Sequence, residues 1–151
     1  MDAENCYQIS DWLWTSGQLS ERDITQLPGL GIQSVINLAL PTSDTALQGE
    51  AELITVLGIN YFHIPVVWNA PELGKLCTFF AILDALNGSK VWVHCAMNMR
   101  VSVFVYLYRR MRLGESAEHA ALPMNAIWTP NATWQNFIDD ALVSNFFQTH
   151  V

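Results

Sequence analysis

The 151-residue chain has no long apolar run, no cysteine framework, no metal-ligand spacing and little positive charge. Each absence excludes a class of protein. The longest apolar stretch, residues 101–108, is far short of the roughly 20 residues a membrane helix needs. Cys6, Cys77 and Cys95 form an odd set without close pairs, which suits a reducing compartment better than a disulfide scaffold. Neither they nor His63, His94, His119 and His150 stand at metal-site spacing. With 7 basic against 14 acidic residues the formal charge is −7, which argues against a non-specific nucleic-acid binder. The opening Met-Asp-Ala-Glu-Asn is acidic and polar, unlike a signal peptide. The expectation is a soluble cytoplasmic protein without metal, cofactor, nucleic-acid or membrane partner. Its oligomeric state is not set by the sequence.

What is present suits one packed domain over residues 1–151, with no repeat, low-complexity stretch or linker. A hydrophobic fraction of 51% supplies the core of a chain this size. Residues 7–9 and 13–15 read as short opening strands. Ser20 reads as the N-cap of a helix ending before Pro28-Gly29. Residues 34–38 read as a buried strand, 46–57 as a helix closed by Gly58, and 60–66 as the next strand. Pro71 fits the first position of a helix running to Leu86, stopped by Asn87-Gly88. Residues 91–93 form a strand and 100–111 a helix ended by Gly114, with short helices near 116–121 and 133–147. This alternation predicts an α/β fold, a central and mainly parallel sheet of four or five strands with helices on both faces.

The most informative segment is Lys90-Val-Trp-Val-His-Cys95-Ala-Met-Asn-Met-Arg100-Val-Ser102. It places Cys95 between an apolar strand and an apolar helix. The first N–H groups of a helix lack partners, and its dipole favours negative charge. Arg100 adds a full positive charge. The turn therefore suits a thiolate nucleophile with an oxyanion held beside it. A buried structural cysteine is the plain alternative for Cys95, but Arg100 on the first turn of an apolar helix needs a charge partner.

Val-His94-Cys95…Arg100 after a strand resembles the active-site turn of cysteine-dependent phosphatases of the dual-specificity and tyrosine phosphatase superfamily. Thr15-Ser-Gly-Gln18, Val35-Ile-Asn-Leu38, Tyr61-Phe-His-Ile-Pro65, Trp68-Asn-Ala-Pro71 and Ile127-Trp128…Trp134-Gln-Asn-Phe137 resemble segments of its small bacterial members. The ordered set spans most of the chain. The resemblance implies a phosphocysteine mechanism on a phosphorylated small molecule or phosphoprotein. Cys95 attacks phosphorus. The backbone N–H groups of Ala96, Met97, Asn98, Met99 and Arg100, with the Arg100 guanidinium, hold the oxygens. A carboxylic acid protonates the leaving group, and water releases phosphate.

The turn departs from the family pattern. Four residues separate Cys95 from Arg100 instead of five, glycine is missing, and Val101 replaces the usual hydroxyl, with Ser102 one place later. Ser102 either donates to the thiolate or caps the helix. Asn98, tolerant of left-handed backbone, is expected to allow the turn. The loop that carries the family's acid has no Asp, so the candidate acids are Glu72 and Asp44. A six-residue turn also resembles that of rhodanese-type sulfurtransferases, in which the cysteine carries a persulfide. A third reading is a non-catalytic phosphate- or sulfate-binding module. Of the rest, His94 is expected to bond the turn's backbone and His63 to be satisfied within its strand. Cys77, Trp12, Trp14, Trp92 and Trp134 are assigned to the core, Trp68 to the pocket, and Arg109, Arg110 and Arg112 to a solvated helix end.

Overall fold

A computed structural model describes residues 1–144. Five strands, β1 (Tyr7–Gln8), β2 (Leu13–Ser16), β3 (Ile32–Asn37), β4 (Asn60–His63) and β5 (Lys90–His94), form one sheet in the order β1-β2-β5-β3-β4. Only β1 runs antiparallel. The expected α/β architecture is present, at the upper end of its strand count. β5 sits at the centre with four consecutive buried residues, Val91 to His94, so it has neighbours on both edges and both faces.

Six helices cover the sheet: α1 (Glu21–Gln26), α2 (Glu50–Thr55), α3 (Leu73–Ala85), α4 (Met99–Met111), α5 (Ala117–Ile127) and α6 (Ala132–Val143). One face packs Val91, Val93, Phe79, Phe104 and Trp134. The other packs Val35, Trp92, Leu19, Ile24 and Ile54 beneath α1 and α2. Ser20 caps α1 as expected, accepting from the Asp23 N–H while Asp23 reaches back to the Ser20 N–H. No helix among the described residues is long and apolar enough to cross a membrane.

Several expected boundaries move. Helix α2 starts at Glu50 rather than 46, because Gly49 at φ 77° is left-handed and breaks the helical path before it. Strand β4 stops at His63, short of Pro65, which cannot donate to a ladder. Pro71 is not the first residue of α3. Glu72 is extended at φ −120° and its carbonyl accepts from Lys75 and Leu76, so Glu72 is the N-cap and Leu73 opens the helix. Helix α5 runs on to Ile127 through Pro123, and the carbonyl that Pro123 orphans belongs to exposed His119. The final helix is described to Val143, and its expected extension to 147 lies outside the described residues.

The arginines at the end of α4 are paired rather than merely solvated. Arg109 is buried on Glu115, Arg112 meets Asp84, and Arg110 lies over the Tyr106 ring. Trp92 and Trp134 are core, whereas Trp12, Trp14 and Cys77 are only partly buried. His63 Nε2 lies 2.6 Å from the carbonyl of Ala39, just past the neighbouring strand β3, so its partner comes from 24 residues away and not from its own strand as expected.

Candidate functional site

Central strand β5 ends at His94 and α4 begins at Met99, leaving Cys95 to Asn98 as a turn at the C-terminal edge of the sheet. Asn98 stands at φ 66°, ψ 7°, the left-handed conformation expected of it in place of glycine. Its buried amide donates to the Asn5 carbonyl at 2.7 Å and to Thr15 Oγ1 at 3.0 Å.

Four consecutive carbonyls of the turn accept hydrogen bonds from groups that do not line its cavity. Cys95 O faces His94 Nδ1 at 3.2 Å, Ala96 O accepts from Gln18 N at 3.0 Å, Met97 O from Asn5 Nδ2 at 2.9 Å, and Asn98 O from Ser102 N at 2.9 Å. In a trans peptide the N–H lies on the edge opposite the carbonyl. Turning the first two carbonyls outward leaves the Ala96 and Met97 N–H groups on the cavity side. Among the described residues no acceptor meets the N–H groups of Ala96, Met97, Met99 or Arg100. That is the donor array an oxyanion needs.

Two supports hold this turn from the N-terminal side. Gly17 packs so closely that a Cβ there would lie 2.6 Å from the Ala96 oxygen. Asp23 accepts from the N–H groups of Asp2 and Ala3 at 2.6 and 2.9 Å, tethering the segment that supplies Asn5.

Trp68, Cys95, Ala96, Met97, Met99 and Arg100 line a cavity of about 240 Å³. Cys95 and Arg100 are thus brought together as expected. Arg100, 7% exposed, donates from Nη1 to the Val66 carbonyl at 3.0 Å, and among the described residues no carboxylate pairs with it. A nearly buried guanidinium without a counter-charge marks a place for an anion. Trp68 stands beside the cavity as expected. Its carbonyl accepts from Trp134 Nε1 at 2.7 Å, and its ring packs 5.4 Å from Trp128 and 5.7 Å from Trp134.

Other assignments do not converge on the cavity. Ser102 Oγ donates back to the Met99 carbonyl at 2.6 Å and accepts from Trp128 Nε1 at 2.9 Å, so its hydroxyl neither caps α4, which has no side-chain cap bond, nor is aimed at the thiolate or an anion. Glu72 and Asp44 are both exposed, and neither lines the cavity. Among the described residues no cluster of His, Cys, Asp or Glu could hold a metal.

One participant has no sequence signal. Buried Glu50 lies 2.7 Å from His94 Nε2 and also accepts from Gln18 Nε2 at 2.5 Å and the Tyr61 hydroxyl at 2.7 Å. Burial pushes its carboxyl up, but the His94 bond and charge, with the Gln18 and Tyr61 bonds, outweigh this and hold it below the usual range. Burial and the Glu50 charge in turn raise the Tyr61 phenol, which stays a donor. Glu50 and His94 are 44 residues apart, so no local spacing could pair them.

A thiol and an unpaired guanidinium at a strand-to-helix turn of a parallel sheet define the phosphatase-like α/β class. Among solved structures the chain is similar to a phosphatase-like DUF442 protein of Shewanella putrefaciens CN-32. The two are 30% identical over 93% of this chain and 92% of that one, with a TM-score of 0.82. The chain belongs to this DUF442 family of the cysteine-dependent phosphatase-like superfamily. In fold it is also similar to TpbA of P. aeruginosa, 16% identical over 97% and 91% of the two chains, TM-score 0.76. The core catalytic domain of the PP-IP phosphatase SIW14 of S. cerevisiae is likewise similar in fold, 16% identical over 97% and 89%, TM-score 0.77. No family model matches the chain, and no curated protein matches it.

Proposed function

We propose that the protein is a cysteine-dependent phosphoric monoester hydrolase. The observation that carries this reading is the shared cavity of Cys95 and unpaired Arg100, roofed by the N-terminal end of α4. The Cys95 thiolate attacks phosphorus as the P–O bond to the leaving group breaks. Arg100 and the free N–H groups on the cavity side hold the three remaining oxygens. Water then displaces the sulfur, releasing inorganic phosphate and regenerating the thiolate.

With Glu72 and Asp44 outside the cavity lining, the reading favours substrates whose oxygen leaves without a positioned acid, such as aryl phosphates. The test is release of 4-nitrophenol from 4-nitrophenyl phosphate by wild type and Cys95→Ser. Turnover by wild type, lost in Cys95→Ser and blocked by vanadate, is the expected result. Equal ligand binding by both proteins with hydrolysis by neither refutes the enzyme reading and leaves a binding module.

The short turn favours one second reading, persulfide transfer. Here the thiolate takes the outer sulfur of thiosulfate, releasing sulfite, and passes it to cyanide as thiocyanate. Thiocyanate formation without phosphate release would select this reading over the first.

A further inference from the structure

Glu50 is the first residue of α2 and only 6% exposed. Its two carboxylate oxygens receive Gln18, which follows β2, Tyr61 of β4 and His94 of β5. Asn37 of β3 donates to the Tyr61 hydroxyl at 2.9 Å, so that hydroxyl spends its own proton on Glu50. One buried carboxylate is therefore tied to the ends of β2 and β5 and to Tyr61 within β4, and through Tyr61 to the end of β3, beside the edge at which the Cys95 turn begins. A buried carboxylate is costly unless its lone pairs are met, and these are met by three donors.

We propose that Glu50 is a positioning residue for the Cys95 turn: its carboxylate fixes the His94 ring, and the ring turns the Cys95 carbonyl away from the cavity. The role rests on the anion site proposed above. His94 Nε2 faces a carboxylate and Nδ1 faces a carbonyl, both of them acceptors. The ring satisfies both only with a proton on each nitrogen. The donor at Nδ1 pins the Cys95 carbonyl and with it the plane of the Cys95–Ala96 peptide, whose N–H is left on the cavity side. Without the carboxylate, the ring loses the charge-assisted contact that sets its plane. A ring no longer fixed in plane releases the Cys95 peptide to turn its oxygen toward the anion.

The test compares wild type, Glu50→Gln and Tyr61→Phe in three measurements: tungstate affinity, kcat and KM on 4-nitrophenyl phosphate, and ring 15N spectra of histidine-labelled protein. Glu50→Gln is expected to bind tungstate about tenfold to a hundredfold more weakly, the scale of a misplaced cradle. Its kcat should fall more than KM changes. Tyr61→Phe, which removes one of the three donors, should show a smaller loss in the same direction. A merely structural role would lower the melting temperature and leave the tungstate affinity, kcat and KM of the folded protein unchanged. Here the wild-type ring shows an Nδ1–H bonded to the Cys95 carbonyl, and Glu50→Gln weakens that bond while the protein stays folded.

Full tungstate affinity in folded Glu50→Gln overturns the proposal. So does a wild-type His94 ring bare at Nδ1, a readout that stands even if Glu50→Gln fails to fold. A wild type that binds tungstate and hydrolyses nothing refutes the hydrolase alone, and the affinity comparison still decides the role of Glu50. A wild type that binds no tungstate overturns both.

Discussion

Replacing Gly17 by alanine tests whether the Cys95 turn is held from behind. Gly17 has no need of left-handed backbone, so its freedom is steric. An alanine Cβ would meet the Ala96 oxygen at 2.6 Å and the Glu4 oxygen and Met97 Cα at 3.2 Å each. All three obstacles are backbone, so none swings aside as a flexible side chain would. Relief from 2.6 Å to an ordinary contact of 3.4 Å moves the Ala96 oxygen and the Cβ apart by about 0.8 Å, stretching the bond from Gln18 N. Overpacking of this kind costs about 1–3 kcal/mol, and a chain of this length loses about 2–4 °C of melting temperature per kcal/mol. The functional loss should be larger, because the displaced peptides carry the donors of the cradle. Roughly tenfold weaker tungstate binding is expected, up to the hundredfold that an ångström of misplacement produces. Calorimetry of Gly17→Ala with and without tungstate reads both quantities. A variant that melts lower yet binds tungstate as wild type refutes the claim that Gly17 sets the turn.

Arg100→Lys keeps the charge but loses the planar fork. It removes charge-assisted bonds worth about 1.5–3 kcal/mol, so tungstate affinity should fall about tenfold to a hundredfold while the melting temperature changes little. An Arg100→Lys protein with wild-type affinity places the anion elsewhere. In acid, Glu50 and Asp23 should govern stability. Burial raises the Asp23 carboxyl, but the N–H groups of Asp2, Ser20 and Ala3 outweigh it and hold it below its ordinary 3.8, as Glu50 is held below its ordinary 4.5. Their stabilisation is complete above those ordinary values and is lost as pH falls through the lower folded-state ones. Urea midpoints measured from pH 7 down to 3 should therefore drop in the acid limb, and less steeply for Asp23→Asn. A midpoint that rises on acidification contradicts this assignment.

Strand and helix order was legible because burial leaves a period in the chain: Val91 to Val93 buried on both faces, and α4 apolar on most of its circumference. Cys95 and Arg100 were legible because both belong to one turn, where sequence spacing fixes spatial spacing. Asn98 was legible for the same reason, through its backbone preference. Glu50 was not, since its meaning comes from Gln18, Tyr61 and His94, which arrive from three other elements. The start of α2 escaped because alanine and leucine at 46 and 47 suit a helix, while Gly49 dictates a break only once its conformation is set. Glu72 and Asp44 were chosen as carboxyls on suitable loops. Whether a loop side chain reaches a cavity depends on the loop's path, which composition does not encode.

The charge of −7 and an anion site coexist because the field at the turn is local. Buried Glu50 is the partner of His94, and its charge is spent on three donors before it can act on the cavity. Asp23 is spent likewise on the N–H groups that tether the N-terminal segment. Among the described residues no carboxylate pairs with Arg100, in a cavity whose other lining is aromatic, aliphatic and sulfur. In such surroundings its charge is screened far less than on the surface. Raising the salt should accordingly weaken tungstate binding only slightly, whereas a site assembled from exposed cations would lose most of its affinity. Measuring that dependence between low and high ionic strength separates a built cradle from a diffuse attraction.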